Sequence, residues 1–421
     1  MSKVVPWDNQ SSTSSRTNVP RQGSISNFKG SRPNLRSNNA LNDDTQSVYS
    51  SYTSRARKTS IMSGQTSKFK GDASEREPAV FGIIRPRFAK REDSDLYCVK
   101  FVHQDEYICV GLGDGTIKVY STKTQSLHMD LICNADQVDG AYMPVTSIAM
   151  RPERKEFRHG GVILASYADG RMIHWHYISG QKLSQVQEPE VQVNVVQYSP
   201  TGSLFAAAGS QTKISVYDGI SQKLKFHLVS GKSEETAGHS NRIFALRFHP
   251  KDHNCLISAG WDDTIQIWDL QKRYSVRSIF SPHICGDSLD IDITGEKILS
   301  GSYRRGNQLQ VWSLQTGELL ETVEWTLMEN NSDRECMLYA AEYSKSGKYL
   351  AGGGGGVGGT SNDVRIFDTA EGKCVGMLQN CSAAFFSLAF SSNERMIACG
   401  GGSKTLIVLN IDENLPVEFG Y

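Results

Sequence analysis

"GHSNRIFALRFHPKDHNCLISAGWDDTIQIWDL", residues 238 to 270, is the stretch whose reading decides the fold. An alternating strand ends in a polar turn, an apolar strand closes on small residues, and a tight turn leads to a second alternating strand that ends on Trp268 and Asp269. Alternation over four to eight residues is the mark of strands, and the intervening Gly, Asp and Pro mark turns. A sheet this small has two apolar faces and therefore needs neighbours on both sides.

The neighbours are present in the same chain. Related modules read "YCVKFVHQDEYICVGLGDGTIKVYST" (97 to 122), "VTSIAMRPERKEFRHGGVILASYADGRMIHWHY" (145 to 177) and "VNVVQYSPTGSLFAAAGSQTKISVYDG" (193 to 219). Three more follow: "SLDIDITGEKILSGSYRRGNQLQVWSL" (288 to 314), "YAAEYSKSGKYLAGGGGGVGGTSNDVRIFDT" (339 to 369) and "FFSLAFSSNERMIACGGGSKTLIVLNI" (385 to 411). Tyr120, Trp175, Tyr217, Trp268, Trp312, Phe367 and Leu409 hold the equivalent third-strand position, so 289 residues separate the first from the last, about 48 for each of six intervals. That period is close to the length of a four-stranded propeller blade.

These residues resemble the WD-repeat family over roughly residues 79 to 421. The paired motifs Gly238-His239 and Trp268-Asp269 are complete in one repeat, and elsewhere drift to "VYST", "HWHY", "VWSL" and "IFDT". The resemblance implies an all-β fold, a seven-bladed WD-repeat β-propeller in which radial stacking buries what no single blade could. After "TLIVLNI" only "DENLPVEFGY" remains, while "AVFGIIRPRF" (79 to 88) is unassigned. By resemblance, 79 to 88 is the closing strand of the last blade and ties the chain ends together.

Lys and Arg balance Asp and Glu at 45 each, which removes any overall field toward nucleic acid or anionic membrane. Residues 1 to 78 hold 12 Lys and Arg against 6 Asp and Glu, a net of +6, which leaves −6 for the rest. This Ser-rich segment lacks the apolar residues to offset its ordering entropy and reads as a disordered basic N-terminal arm. Ser24, Thr59 and Ser60, each near an Arg, are candidate phosphorylation sites whose modification would weaken the arm's attraction to acidic surfaces. Nine cysteines without C-x-x-C spacing, most in apolar runs, favour a reducing cytoplasmic compartment. The start "MSKVVPWDNQ" has no apolar signal core and no run has the length of a membrane span, so no membrane association is expected.

Seven glycines fill eight positions from Gly352 to Gly359. A phosphate loop would be followed by Lys and a helix. Here a strand follows, and sibling turns "GLGDGT", "SYADGR" and "ACGGGSKT" are glycine-rich too, which points to a turn needing positive φ. His174 and His176, two apart on a strand, could begin a zinc site, but no further ligand has supportive spacing, so they read as polar groups between blades. His239, Ser258 and Asp262 mimic a hydrolytic triad. The resemblance instead implies that they join Trp268 in a structural tetrad, and no nucleophile elbow accompanies them. No catalytic residue, enzyme activity, cofactor, metal or small-molecule substrate is expected, and no polar constellation in the central channel.

By resemblance, the turns between second and third strands and the connections into each first strand share one end of the propeller. Trp261, Tyr303, Arg304 and Arg305 would lie there, aromatic and guanidinium groups of the kind that anchor interfaces. Beside them run long, partly acidic connections, "ICNADQVDGAYMP", "SGKSEETAGHS" and "VEWTLMENNSDREC". The expected function is a non-catalytic protein-protein interaction scaffold whose partners are other proteins of a multiprotein complex. Repeats five and six look similar to WD-repeat proteins of cilia and flagella, which adds a cytoskeletal or axonemal role with tubulin or microtubules among the partners. The alternative is a polyanion-binding protein whose arm and "RPERKEFRHGG" (151 to 161) grip microtubules or RNA.

Overall fold

The computed structural model describes residues 78–133, 143–155, 157, 160–230, 238–325, 335–356 and 361–417. The arm, with Ser24, Thr59 and Ser60, lies outside them, as does most of the three long connections.

Seven antiparallel sheets form, one for each repeat, and in blades one to six four consecutive strands run outward from the inner edge. The inner strands of blades one to seven are Leu96–Val102, Val145–Met150, Val193–Tyr198, Ile243–Phe248, Leu289–Ile291, Leu338–Tyr343 and Phe385–Phe390. Each adjoins the inner strands before and after it, and the seventh adjoins the first, so the ring is closed around a central channel. Second strands such as Cys255–Gly260 and Met396–Gly401 are buried throughout, whereas the fourth strand Leu127–Leu131 shows most of its residues to solvent. That gradient explains the sequence pattern: inner positions are packed on both faces by neighbouring blades, outer ones on one.

The core is accordingly a set of layers between blades. Ile148, Ile163 and Trp175 of blade two meet Val102, Cys109 and Val119 of blade one. The layer across the seam is built the same way, with Leu406, Val408 and Ala398 of blade seven against Leu96, Ile108 and Tyr120 of blade one. All seven third-strand residues read from the repeat are buried on third strands.

Closure differs from the expectation in its residues. The strand that completes blade seven is Ile84–Arg91, paired antiparallel to Thr405–Ile411 with Ile84 opposite Ile411 and Arg91 opposite Thr405. Ala79–Gly82 instead adds a fifth strand to blade six, with Ala79 opposite Gln379. Gly82 explains the break. It has φ +73°, a Cβ there would lie 2.0 Å from the Val375 carbonyl oxygen, and the following Ile83 amide donates to that same oxygen at 2.8 Å. The chain therefore leaves one blade and starts on the next at a residue that only glycine can fill. Pro86, on the outer side of its blade, coincides with a register shift, which suits an edge strand that must not recruit another. Asp105 of blade one adds a polar clasp across the seam, accepting from the Ser392 amide (2.6 Å), the Ser392 hydroxyl (2.7 Å) and the Asn393 amide (3.0 Å).

The described part of the glycine run, residues 352–356, has the expected place but another cause, and residues 357–360 lie outside the described residues. Gly352 to Gly354 end the second strand of blade six, Tyr349–Gly354, and none has positive φ. A Cβ on Gly354 would stand 1.9 Å from the Met337 carbonyl oxygen, and Gly209, Gly260 and Gly401 meet the same obstacle at 1.7, 2.1 and 2.0 Å. In these four blades the backbone entering the inner strand presses on the end of the second strand. Positive φ belongs to other turns, at Gly115 and Gly170.

Candidate functional site

In six blades the first amide after the second strand donates to the carbonyl just before the inner strand, as Gly113 does to Asp95 (2.9 Å), Trp261 to Arg242 (3.1 Å) and Gly402 to Ala384 (3.0 Å). These bonds draw the turns between second and third strands together with the connections into the inner strands. One end of the ring, the upper face, is made of them.

Trp261 is half-buried on this face. Its ring lies 5.2 Å from Phe244 and the Arg242 guanidinium stands 4.9 Å over it. Tyr303 packs on Tyr339 at 4.6 Å. Arg304 is committed to its own fold: it donates to the Ser281 carbonyl at 2.7 Å, the Ser281 hydroxyl at 3.0 Å and Gln310 Oε1 at 2.9 Å. Arg305 is the exposed cation of the group.

Sequence reading missed the rest of the aromatic arc. Phe386 lies 5.3 Å from Tyr339, edge on, and stacks with Tyr97 at 5.6 Å, so rings run across blades five, six, seven and one. Tyr97, Phe244, Tyr339 and Phe386 share one structural position. In six blades the register slips after the first inner-strand residue, and these are the bulged residues that follow it. A bulge re-aims a side chain out of the sheet. Aligning the repeats on their second residue would have found them.

Three residues further into the inner strand, the positions opposite Cys109, Leu164, Ala206, Ile257, Leu299, Ala351 and Ala398 are Lys100, Ala149, Gln197, Arg247, Asp290, Glu342 and Ala389. Here the expectation of a channel without a polar constellation is overturned. Arg247 Nη1 lies 2.7 Å from Asp287 Oδ1 and its Nε 3.2 Å from Asp290 Oδ1, and Lys100 Nζ lies 3.3 Å from Asp287 Oδ2 and 3.7 Å from Glu342 Oε2. Although burial opposes its charge, Asp287 is held well below the usual carboxylate range by Arg247 and Lys100. Burial pushes Glu342 up to about 7, which Lys100 only partly offsets.

His239, Ser258, Asp262 and Trp268 stand in one hydrogen-bonded chain. Asp262 Oδ2 is 2.7 Å from His239 Nδ1, His239 Nε2 is 2.6 Å from Ser258 Oγ, and Trp268 Nε1 donates to Ser258 Oγ at 2.7 Å. The side chains of His239 and Asp262 are 0% and 2% exposed, so no substrate reaches them. Burial pushes Asp262 up, but His239, the Ser240 amide and the Thr264 hydroxyl together more than offset it and leave Asp262 below its ordinary value. The drifted repeats solve the same problem otherwise. Trp312 donates to Ser300 at 2.9 Å, Trp175 to the Tyr167 hydroxyl at 3.2 Å, and Tyr120 and Tyr217 donate to the buried Glu92 and Glu188. Phe367 and Leu409 have no polar atom to satisfy.

His174 is fully buried and shares hydrogen bonds with Tyr198 of blade three (2.7 Å) and Ser184 (3.0 Å). Burial, aided by Arg151, pulls it down to about 4. His176 pairs instead with Ser179 at 2.6 Å, and among the described residues no group of three or more His, Cys, Asp or Glu side chains could hold a metal.

Residues 88–121, 231–269 and 372–410 match the family described as "WD domain, G-beta repeat". The chain is 23% identical over 305 residues to "Periodic tryptophan protein 2 homolog" of Dictyostelium discoideum, covering 59% of this chain and 32% of that protein. It is 32% identical over 143 residues to "Guanine nucleotide-binding protein subunit beta-5b" of Danio rerio, covering 33% and 35%. To "Autophagy-related protein 16" of Arabidopsis thaliana it is 25% identical over 185 residues, covering 43% and 33%. The chain thus spans about a third of the length of each of these relatives.

Proposed function

The chain is a WD40-repeat β-propeller, and we propose that it serves as a non-catalytic scaffold whose upper face binds other proteins of a multiprotein assembly. Propellers of this kind generally bind proteins. The observation that carries the reading here is the arc of half-buried rings, Trp261, Tyr303, Phe386 and Tyr97, with Arg242 and Arg305 beside it. Rigid aromatic and guanidinium groups offer large contact area at small entropic cost, which is why they dominate interface energetics. Arg304 supports the face from below by pinning the 303–305 turn to Ser281.

Within this reading we place the assembly in the cytoplasm, on cytoskeletal or axonemal structures, with tubulin among the partners. Trp261→Ala combined with Arg305→Ala should abolish partner recovery from cell extract while the melting curve stays unchanged. Undiminished recovery would show that another surface is used. Proximity labelling in the native cell, scored for ciliary and microtubule proteins, tests the location.

The alternative of polyanion binding draws on one feature of the fold: the closing strand "IRPRFAKR" presents Arg85 and Arg91 to solvent and contains no acidic residue. Binding to microtubules or RNA would then weaken steeply with salt.

A further inference from the structure

Lys100 sits on blade one, whose neighbours in the ring are blades seven and two, yet its ammonium meets carboxylates of blades five and six. It must cross the channel to do so. Arg247 of blade four meets the same Asp287, and Asp290 Oδ2 accepts the Tyr343 amide of blade six at 2.9 Å. Five charged side chains from blades one, four, five and six therefore make one network. Blade seven, which the chain closes with its N-terminal strand, brings only Ala389 to that level.

We propose that this network is a second lock on the ring, tying the two neighbours of the closing blade to each other through the channel, and that the lock loosens as pH rises past neutrality. The outer lock is the pairing of Ile84–Arg91 with Thr405–Ile411. The two act in parallel, because opening the seam must separate blade one from blade six whichever side gives way first.

The charges set the direction. Two cations face three carboxylates, and Glu342 has the longest contact of the set, 3.7 Å to Lys100. The groups that face it are Lys100 from blade one, Arg247 from blade four, and Asp287 and Asp290 from blade five, while blades two, three and seven contribute Ala149, Gln197 and Ala389 at that level. With a proton on Glu342, two cations balance two carboxylates. Lys100, Asp287 and Glu342 are about a quarter exposed, but to the confined channel, where a third negative charge is poorly screened. Glu342 titrates at about 7, above its ordinary 4.5, so the folded ring holds this proton more tightly than the unfolded chain does. The stability so gained is complete below 4.5 and is lost as pH rises through about 7.

Amide hydrogen exchange of the full-length protein tests this, read at Thr405–Ile411 across the seam and at Val193–Tyr198 in blade three as a control, each rate corrected for intrinsic pH dependence. In the native sequence, protection at the seam should fall about tenfold between pH 6 and pH 8, and the control should hold. Glu342→Gln, neutral at every pH, should keep the pH 6 level at pH 8. Lys100→Met should lower seam protection at pH 6 about tenfold and still lose protection toward pH 8, because without Lys100 burial makes Glu342 hold its proton more tightly. If Lys100→Met does not fold, Glu342→Gln alone decides. Persistence of the pH dependence in Glu342→Gln, unchanged protection in a folded Lys100→Met, or an equal fall in blade three would overturn the proposal.

Discussion

Ser258→Ala and Ser300→Ala remove the same hydroxyl at equivalent positions of neighbouring blades, opposite Leu246 and Leu289 of the inner strands, yet they should differ in cost. Ser258, fully buried, serves two rings: it accepts from Trp268 Nε1 at 2.7 Å and shares a hydrogen bond with His239 Nε2 at 2.6 Å. Ser300 serves one, accepting from Trp312 Nε1 at 2.9 Å. An orphaned buried donor or acceptor costs about 1 to 3 kcal/mol. Two orphans at Ser258 therefore predict a loss of about 3 to 4 kcal/mol, and one at Ser300 about 1.5 to 2 kcal/mol. Asp262 raises the stakes, since its alignment depends on His239 staying in place. Urea unfolding with both variants measures the difference as a shift of the midpoint at constant slope. Equal losses in the two variants, or a loss below about 1 kcal/mol at Ser258, would refute the claim that this chain of four side chains stabilises blade four.

Gly354→Ala should cost about 3 kcal/mol, because the new methyl meets the Met337 carbonyl and the backbone must move. Gly306→Ala, in open space at φ +72°, should cost only about 1 kcal/mol of strain, and thermal melts of the pair separate crowding from dihedral preference. Asp105→Ala should orphan the Ser392 and Asn393 amides and expose the seam to limited proteolysis before any other blade; a cleavage pattern like that of the unaltered protein would count against the clasp. Removal of residues 1–78 should leave the melting temperature unchanged and, on the polyanion reading, abolish co-sedimentation with microtubules at low salt; unchanged co-sedimentation would dispose of the arm's part in it.

Much of the architecture was legible because the repeat writes it seven times. Tyr120 to Leu409 could be aligned by spacing alone, and the position they share is buried in each blade. The tetrad positions were legible through resemblance in the one repeat that keeps both motifs. The end of Ala79–Gly82 was harder to read, since Val80, Phe81, Ile83 and Ile84 form one apolar run and only the positive φ of Gly82 divides it between two blades. Glycine content pointed to the right turn at Gly352 to Gly354 but not to the carbonyl that makes glycine necessary there. The channel network was invisible for a topological reason. Lys100, Arg247 and Glu342 look like ordinary solvent-facing residues of alternating strands, and only ring closure turns that face toward an enclosed axis where residues 242 positions apart meet. Arg304 shows the converse. Its chemistry suits an interface, but three hydrogen bonds hold it to the fold.

The claim on which the functional reading rests is that the upper face is where partners dock. Lysine cross-linking of the partner-bound protein measures this most directly, since Lys213 and Lys404 lie in upper-face turns and the exposed Lys251 and Lys345 lie in turns at the opposite end. Cross-links from Lys213 and Lys404 to the partner, with none from Lys251 or Lys345, are the expected result. Cross-links confined to Lys251 and Lys345 would contradict it.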